Sequence, residues 1–124
     1  MSKGQETRTV ILDEAVGLAS KVGFNALTIG QLAEQTEMSK SGLFAHFRSK
    51  EALQLATLER GRERFTDVVI RPTLAAPRGV ARVRALVENW LVWETQALQG
   101  GCIFVAGSIE FDDQPGPVRD ALVR

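Results

Sequence analysis

The chain is poor in the residues that disulfide frameworks and membrane spans require. Its 124 residues include one cysteine and no tyrosine. A lone Cys102 cannot close an internal disulfide, which fits a protein of the reducing cytoplasm. No run of about 18 apolar residues is present, and Met1 to Arg8 lack the apolar core of a secretory signal. We therefore expect a cytoplasmic protein that has no membrane partner.

Patterns of catalytic and metal-binding residues are equally scarce. The only histidine, His46, and Cys102 lie in what look like different modules. No Ser-His-Asp arrangement, paired metal ligands or phosphate-cradling glycine loop appears. The sequence therefore indicates no enzyme, no bound metal and no cofactor.

The chain also has no net charge, because 15 basic residues balance 15 acidic ones. DNA-binding proteins are often basic overall, so this balance counts mildly against one. The distribution matters more than the total. Residues 38–64 hold six basic and three acidic side chains, a local net charge of +3. Such a patch on a neutral chain can still engage phosphates.

Helical periodicity is the dominant positive signal, in a chain that is 44% apolar. It predicts a first helix from about Glu6 to Val22, which Gly23 ends by adopting a left-handed conformation. The apolar stripe of this helix is formed by Val10, Ile11, Ala15, Leu18, Ala19 and Val22.

Two short helices joined by a three-residue turn come next. Thr28 and Gln31 form a capping box that opens a helix ending at about Gln35. Ser39 is a favourable N-cap for a third helix, Lys40 to His46. This is the helix-turn-helix format, in which the second helix enters the major groove of DNA.

The predicted recognition helix has a polar start and an apolar back. Leu43 and Phe47, four residues apart, face the core. Lys50 lies in the first turn of the next helix, where free backbone N–H groups favour an anion. The exposed residues of the recognition helix are small or polar, namely Ser39, Lys40, Ser41 and Gly42.

The later half also predicts helices. A fourth helix starts after the N-cap Ser49 and is ended by Pro72. A linker over residues 74–79 precedes a fifth helix over residues 80–98. A short helix over residues 102–111, a turn and the start of another helix follow. The apolar residues of the fifth helix are Val83, Leu86, Val87, Trp90, Leu91 and Val92 or Trp93.

The helix-turn-helix segment resembles the N-terminal signature of the TetR family of bacterial transcription regulators over about Thr7 to Leu55. The residues that carry this resemblance are Thr28-Ile29, Leu32-Ala33, Met38-Ser39-Lys40 and Leu43-Phe44-Ala45-His46-Phe47-Arg48-Ser49-Lys50-Glu51.

The resemblance implies an all-α protein with a DNA-binding head, residues 1–52, and part of a helical regulatory body, residues 53–124. Family members repress transcription as homodimers on palindromic operators and release the DNA when a small-molecule effector enters the body. The family's late dimer-forming helices are absent from this sequence, which ends part-way through a predicted helix. We therefore expect a fragment or an incompletely ordered protein.

By position, the resemblance carries eight residues to the DNA interface: Thr28, Ser39, Lys40, Ser41, Gly42, Phe44, His46 and Lys50. Members commonly have tyrosine where this chain has Phe44. Because phenylalanine cannot donate to a phosphate, that contact is in doubt.

Several residues also have plainer interpretations. Lys40 and Lys50 can simply be solvated charges, and His46 can be an interior or capping histidine at the helix end, where the helix dipole favours its charged form. Arg8 belongs to a disordered tail or a DNA-reaching arm. The three arginines at positions 60, 62 and 64 form a solvated helix face.

Two functional alternatives remain open as well. A helical interaction module that no longer binds DNA is the alternative to a regulator. Cys102 is either a buried small residue or a redox sensor. The aromatic residues of the later half are either core or, together with the cysteine, the wall of an effector pocket formed by Trp90, Trp93, Cys102, Phe104 and Phe111.

Overall fold

The computed structural model describes residues 3–97, 103–104, 110 and 115–123, and within them every regular element is helical. The predicted all-α class is therefore confirmed. The elements are α1 (Lys3–Val22), α2 (Ile29–Thr36), α3 (Lys40–His46), α4 (Lys50–Phe65), α5 (Arg71–Ala75), α6 (Val80–Val92) and α7 (Pro117–Val123), with π-helical turns at Thr66–Ile70 and Trp93–Ala97.

Local signals set the bounds of the first helices. Gly23, with φ of 84°, ends α1 as a left-handed cap, and its N–H donates to the carbonyl of Ala19 at 2.9 Å. The N-caps predicted for α2 and α3 are also confirmed. However, α1 begins at Lys3 rather than Glu6, because no proline or capping side chain stands between them.

One apolar core joins α1 to the rest of the chain. Burial of each of its Leu and Phe side chains contributes about 1.5–3 kcal/mol. Val10 and Val22, which the predicted stripe of α1 included, are instead exposed at its margins. In the first half the core consists of Ile11, Leu12, Ala15, Val16, Leu18, Ala19, Phe24, Leu27, Ile29, Leu32, Leu43, Phe47, Leu53 and Leu58, and it continues through Val69, Trp93, Ile103, Val118 and Ala121.

The prediction that Pro72 ends the fourth helix is wrong. The backbone passes through the π-helical turn Thr66–Ile70 and continues as α5 to Ala75, so residues 74 and 75 are helix rather than linker. Proline lacks an N–H and clashes with the carbonyl four residues earlier in a regular helix, but it is tolerated in a first turn. In the widened turn Arg71 N–H bonds the carbonyl of Thr66, and Pro72 then occupies the first turn of α5.

The aliphatic residues of α6 do not form its buried face. Two polar residues of α6 bond the end of α5 and its C-cap: Arg82, whose guanidinium bonds the carbonyls of Leu74 and Ala76 at 3.0–3.2 Å, and Asn89, whose Nδ2 lies 3.2 Å from Thr73 Oγ1. The aliphatic residues of this helix are exposed instead of buried. They are Val80, Val83, Leu86, Val87, Leu91 and Val92.

The region after α6 is described only in part. Ile103, Phe104 and Glu110 are helical, as predicted for residues 102–111, whereas Cys102 and Phe111 lie outside the described residues. Pro117, not Val118, begins the last helix. Among the described helices, none has the length and apolar character needed to cross a membrane.

Candidate nucleic-acid interface

Helix α3 is divided cleanly into a buried and an exposed side. Leu43 and Phe47 are buried in the core, as their four-residue spacing predicts. Ser39, Lys40 and Ser41 are exposed at the start of the helix. The recognition helix therefore presents a small, polar N-terminal end to solvent while its back is fixed by α1 and α2.

The start of α3 depends on a small residue at position 42. Ser39 Oγ accepts a hydrogen bond from Gly42 N–H at 3.0 Å and lies 3.3 Å from Ser41 Oγ. A Cβ atom at position 42 would lie only 3.0 Å from the same Ser39 oxygen. Glycine at position 42 therefore leaves room for the Ser39 cap and adds no side chain to the exposed start of α3.

Thr28 and Lys40 lie close together although they are twelve positions apart in the sequence. A Cβ atom on Gly30 would lie 3.8 Å from both Thr28 Oγ1 and Lys40 Nζ. Thr28 meanwhile caps α2 by accepting from Gln31 N–H at 3.0 Å. The first turn of α2 and the start of α3 thus place a hydroxyl group and an ammonium group on one surface.

The other predicted contact residues lie around the end of α3 and the start of α4. Lys50 is exposed as the first residue of α4, directly after Ser49, whose Oγ accepts from Ala52 N–H at 3.0 Å. Phe44 is 50% exposed, whereas His46 is half-buried with its ring 6.2 Å from that of Phe47.

Arg8 has a role that the sequence did not reveal. It lies in α1, not in a disordered tail or an arm. Its guanidinium carbon lies 4.6 Å from the centre of the Phe47 ring, and Nη1 donates to the carbonyl of His46 at 3.1 Å. The residue thus fastens the C-terminal end of α3, where a cation is favourable.

The arginines of α4 were predicted to form a solvated helix face, but two of them bond residues outside this helix. Arg60 Nε lies 2.7 Å from Asp13 Oδ1 of α1, and Nη1 lies 2.8 Å from Glu63 Oε2. The hydrogen bond to Asp13, followed by that to Glu63, raises the pKa of Arg60 above its ordinary value despite partial burial. Arg62 also bonds the carbonyl of Ala121 in α7. Charge alternation along α4 did not show that acceptors outside this helix would be near.

Gln54 is a second residue that sequence reasoning missed. It is buried, and its Nε2 donates to the carbonyl of Phe24 at 2.9 Å. Its burial could have been predicted from the sequence, because Gln54 shares its helix face with Leu58 and Gly61. A polar residue on a buried face needs a hydrogen-bond partner.

Three of the residues predicted to line an effector pocket are close together. Trp93 is stacked on Phe104 with 6.1 Å between ring centres, and Phe65 stands perpendicular to both at 5.2 and 5.9 Å. Trp90 joins the cluster through Phe65 at 6.0 Å. Trp93 is fully buried, yet its indole N–H has no hydrogen-bond partner among the described residues.

Comparison with known proteins agrees with this geometry. The profile described as "Bacterial regulatory proteins, tetR family" matches residues 11–57, which include α2, α3 and the start of α4. A second profile, "Tetracyclin repressor-like, C-terminal domain", matches residues 79–124. The chain belongs to the TetR family.

Individual TetR-family proteins resemble most of this chain. The HTH-type transcriptional repressor KstR of Mycolicibacterium smegmatis is 28% identical over 127 residues, which cover 95% of this chain and 61% of KstR. A TetR transcriptional regulator from Chloroflexus aurantiacus J-10-FL, known from its crystal structure, has a TM-score of 0.86 and 27% identity. That match covers 99% of this chain and 63% of the regulator.

A more distant structure shares the fold. AibR, crystallised with isovaleryl coenzyme A and operator DNA, has a TM-score of 0.71 at 23% identity, covering 92% of this chain and 60% of AibR. The chain thus spans about three fifths of the length of each of these proteins.

Proposed function

We propose that the protein is a sequence-specific DNA-binding transcription regulator, not an enzyme, and that it acts as a repressor in the cytoplasm. The observation that carries the proposal is the division of α3, whose back is buried through Leu43 and Phe47 while its polar start is exposed. A helix of this kind can enter the major groove without exposing its anchoring residues to solvent.

The proposed division of the chain assigns residues 1–52 to the DNA-binding head and residues 53–124 to part of a regulatory body. In the head, Ser39, Ser41 and Gly42 would face the bases. Thr28, Lys40, Phe44, His46 and Lys50 would lie at the phosphate backbone and the groove edge. The exposure of both lysines supports this assignment.

We further propose a homodimer on a palindromic operator, released by a small-molecule effector. A dimer with two-fold symmetry presents two recognition helices to the two halves of a palindrome. AibR, which shares the fold, was crystallised with both operator DNA and an acyl-CoA. In this chain the proposed effector wall comprises Trp90, Trp93, Cys102, Phe104 and Phe111.

The buried Trp93 N–H supports the effector proposal. No acceptor reaches this N–H among the described residues, and a buried donor that lacks one costs about 1–3 kcal/mol, which a ligand oxygen would remove. The rings of Phe65 and Phe104 pack around it, one perpendicular and one stacked, so the surroundings of this donor are apolar. An apolar effector that carries a carbonyl or carboxylate oxygen fits these features.

Selection of bound duplexes from a random DNA pool tests the DNA-binding proposal. We expect enrichment of a palindromic sequence, with an affinity that falls steeply as salt rises because bound lysines displace counterions. Absence of both enrichment and salt-dependent binding would favour the alternative, a helical interaction module that has lost DNA binding.

A further inference from the structure

Glu110 connects the later half of the chain to the turn before α2. Its Oε1 accepts from Phe24 N–H at 2.7 Å, and its Oε2 accepts from Asn25 N–H at 2.8 Å. A carboxylate that takes two backbone N–H groups in this way makes charge-assisted bonds, which are shorter and stronger than neutral ones. More than eighty residues of sequence separate the partners.

Gly23, at the start of this turn, gives the Glu110 carboxylate the space it needs. Gly23 adopts φ of 84°, a conformation that L side chains rarely take. A Cβ atom at position 23 would also lie 2.7 Å from Glu110 Oε1. Glycine therefore serves both the backbone conformation and the approach of Glu110.

The same turn is held from its other side. Gln54 of α4 donates to the Phe24 carbonyl at 2.9 Å, and the Phe24 side chain is fully buried. The Phe24 residue is thus bonded through its carbonyl by α4 and through its N–H by Glu110. A change in the position of Glu110 would act directly on a backbone segment that has little freedom to absorb it.

This turn lies immediately before the proposed DNA-reading surface. Only two residues separate Asn25 from Thr28, the N-cap of α2, and α2 packs against α3. We infer that Glu110 is a positioning residue, whose carboxylate holds residues 23–25 and thereby sets the orientation of α2 and α3 for base recognition. The inference rests on the proposed DNA-binding function.

Replacement of Glu110 by glutamine provides the test. The amide keeps the size of the side chain but has one acceptor oxygen, and its NH₂ group faces a second N–H donor. The variant also loses a negative charge, which by itself should strengthen binding to any DNA. Glu88→Gln, on the exposed side of α6, makes the same change of charge and is the matched control.

Each protein is titrated with the duplex that the unaltered protein selects and with a random duplex of equal length, well below its melting temperature. We expect E110Q to lower the ratio of the two affinities about fivefold or more, the size of a typical coupling between sites. The phosphate contacts made by random DNA tolerate a small rotation of α3, whereas base contacts do not. E88Q should leave the ratio unchanged.

Amide hydrogen exchange reports on the turn independently. Exchange at Phe24 and Asn25 should accelerate in E110Q and not in E88Q. Two results overturn the inference: unchanged exchange at both amides, or a lowered melting temperature with an unaltered affinity ratio. Glu110 would then only stabilise the fold and would not orient α2 and α3. If the unaltered protein selects no duplex, the proposed function fails before Glu110 is tested. Should E110Q not fold, Glu110→Asp, which keeps the charge but shortens the side chain by one methylene group, carries the same comparison.

Discussion

The guanidinium group of Arg8 lies 4.6 Å from the centre of the Phe47 ring and bonds the carbonyl of His46 at 3.1 Å. Two weak interactions thus meet at the C-terminal end of α3. Because the ring is buried and anchors α3 to the core, Arg8 connects the long first helix to the proposed recognition helix.

Arg8→Met keeps the aliphatic stem and removes both interactions. We expect the free energy of unfolding to fall by about 1–2 kcal/mol, the combined size of a partly exposed cation–π contact and one hydrogen bond. Urea denaturation measures this change. Arg84→Met, an exposed position on α6, should change stability by less than about 0.5 kcal/mol. Equal effects of the two substitutions would contradict a specific role for Arg8.

A second prediction concerns Gly61, in the middle of α4. A Cβ atom there would lie 2.6 Å from Ile103 Cδ1, and Ile103 is fully buried. Alanine normally stabilises a helix interior by about 0.5–1 kcal/mol relative to glycine. At position 61 we expect overpacking to dominate, so that Gly61→Ala lowers stability by about 1–3 kcal/mol.

Gly17→Ala in α1 is the control, because no described atom outside its own helix lies within 4 Å of the place that an added methyl group would occupy. It should raise the melting temperature, whereas Gly61→Ala should lower it. A higher melting temperature for both proteins would show that Ile103 can move away from Gly61 at little cost.

The elements and the polar start of α3 were predictable because their causes are local. The side chains of Thr28 and Ser39 bond N–H groups only three residues ahead, so a short segment contains both partners. Leu43 and Phe47 identify the buried side of α3 by spacing alone. Thus the helix-turn-helix followed from the sequence.

The contacts that orient this unit were not predictable in the same way. Arg8 meets His46 from 38 residues away, and Glu110 meets Phe24 from 86 residues away. Nothing local marks either side chain as paired. In α6, periodicity identified an aliphatic stripe but did not show that it would be exposed, and the partners of Arg82 and Asn89, Leu74 and Thr73, lie on another helix.

The third prediction is that Lys50 meets a phosphate. Lys50→Ala should weaken binding to selected and random duplexes alike, since a phosphate contact carries no sequence information. The slope of log affinity against log salt should become shallower by about 0.9 for one lost contact. Arg84→Ala, with the same loss of charge on α6, should leave the slope unchanged. An unaltered slope in the Lys50 variant would remove this residue from the interface.

The last prediction concerns the half-exposed ring of Phe44. Its helical position is about 100° from Leu43, which places it at the edge of the core with 50% of its surface exposed. A hydroxyl group added in Phe44→Tyr should stay hydrated in the free protein and leave stability nearly unchanged. On DNA it can donate to a phosphate oxygen, so affinity should increase by about 1 kcal/mol, or roughly fivefold.

Phe24→Tyr adds the same hydroxyl group to a ring that is fully buried. There the group would lose its hydration, so we expect a destabilisation of about 1–3 kcal/mol unless a partner is found. Paired melting and DNA-titration curves for the two variants separate the effects of burial and of contact. A clear fall in the melting temperature of Phe44→Tyr, with no gain in affinity, would mean that the far edge of this ring faces protein rather than phosphate.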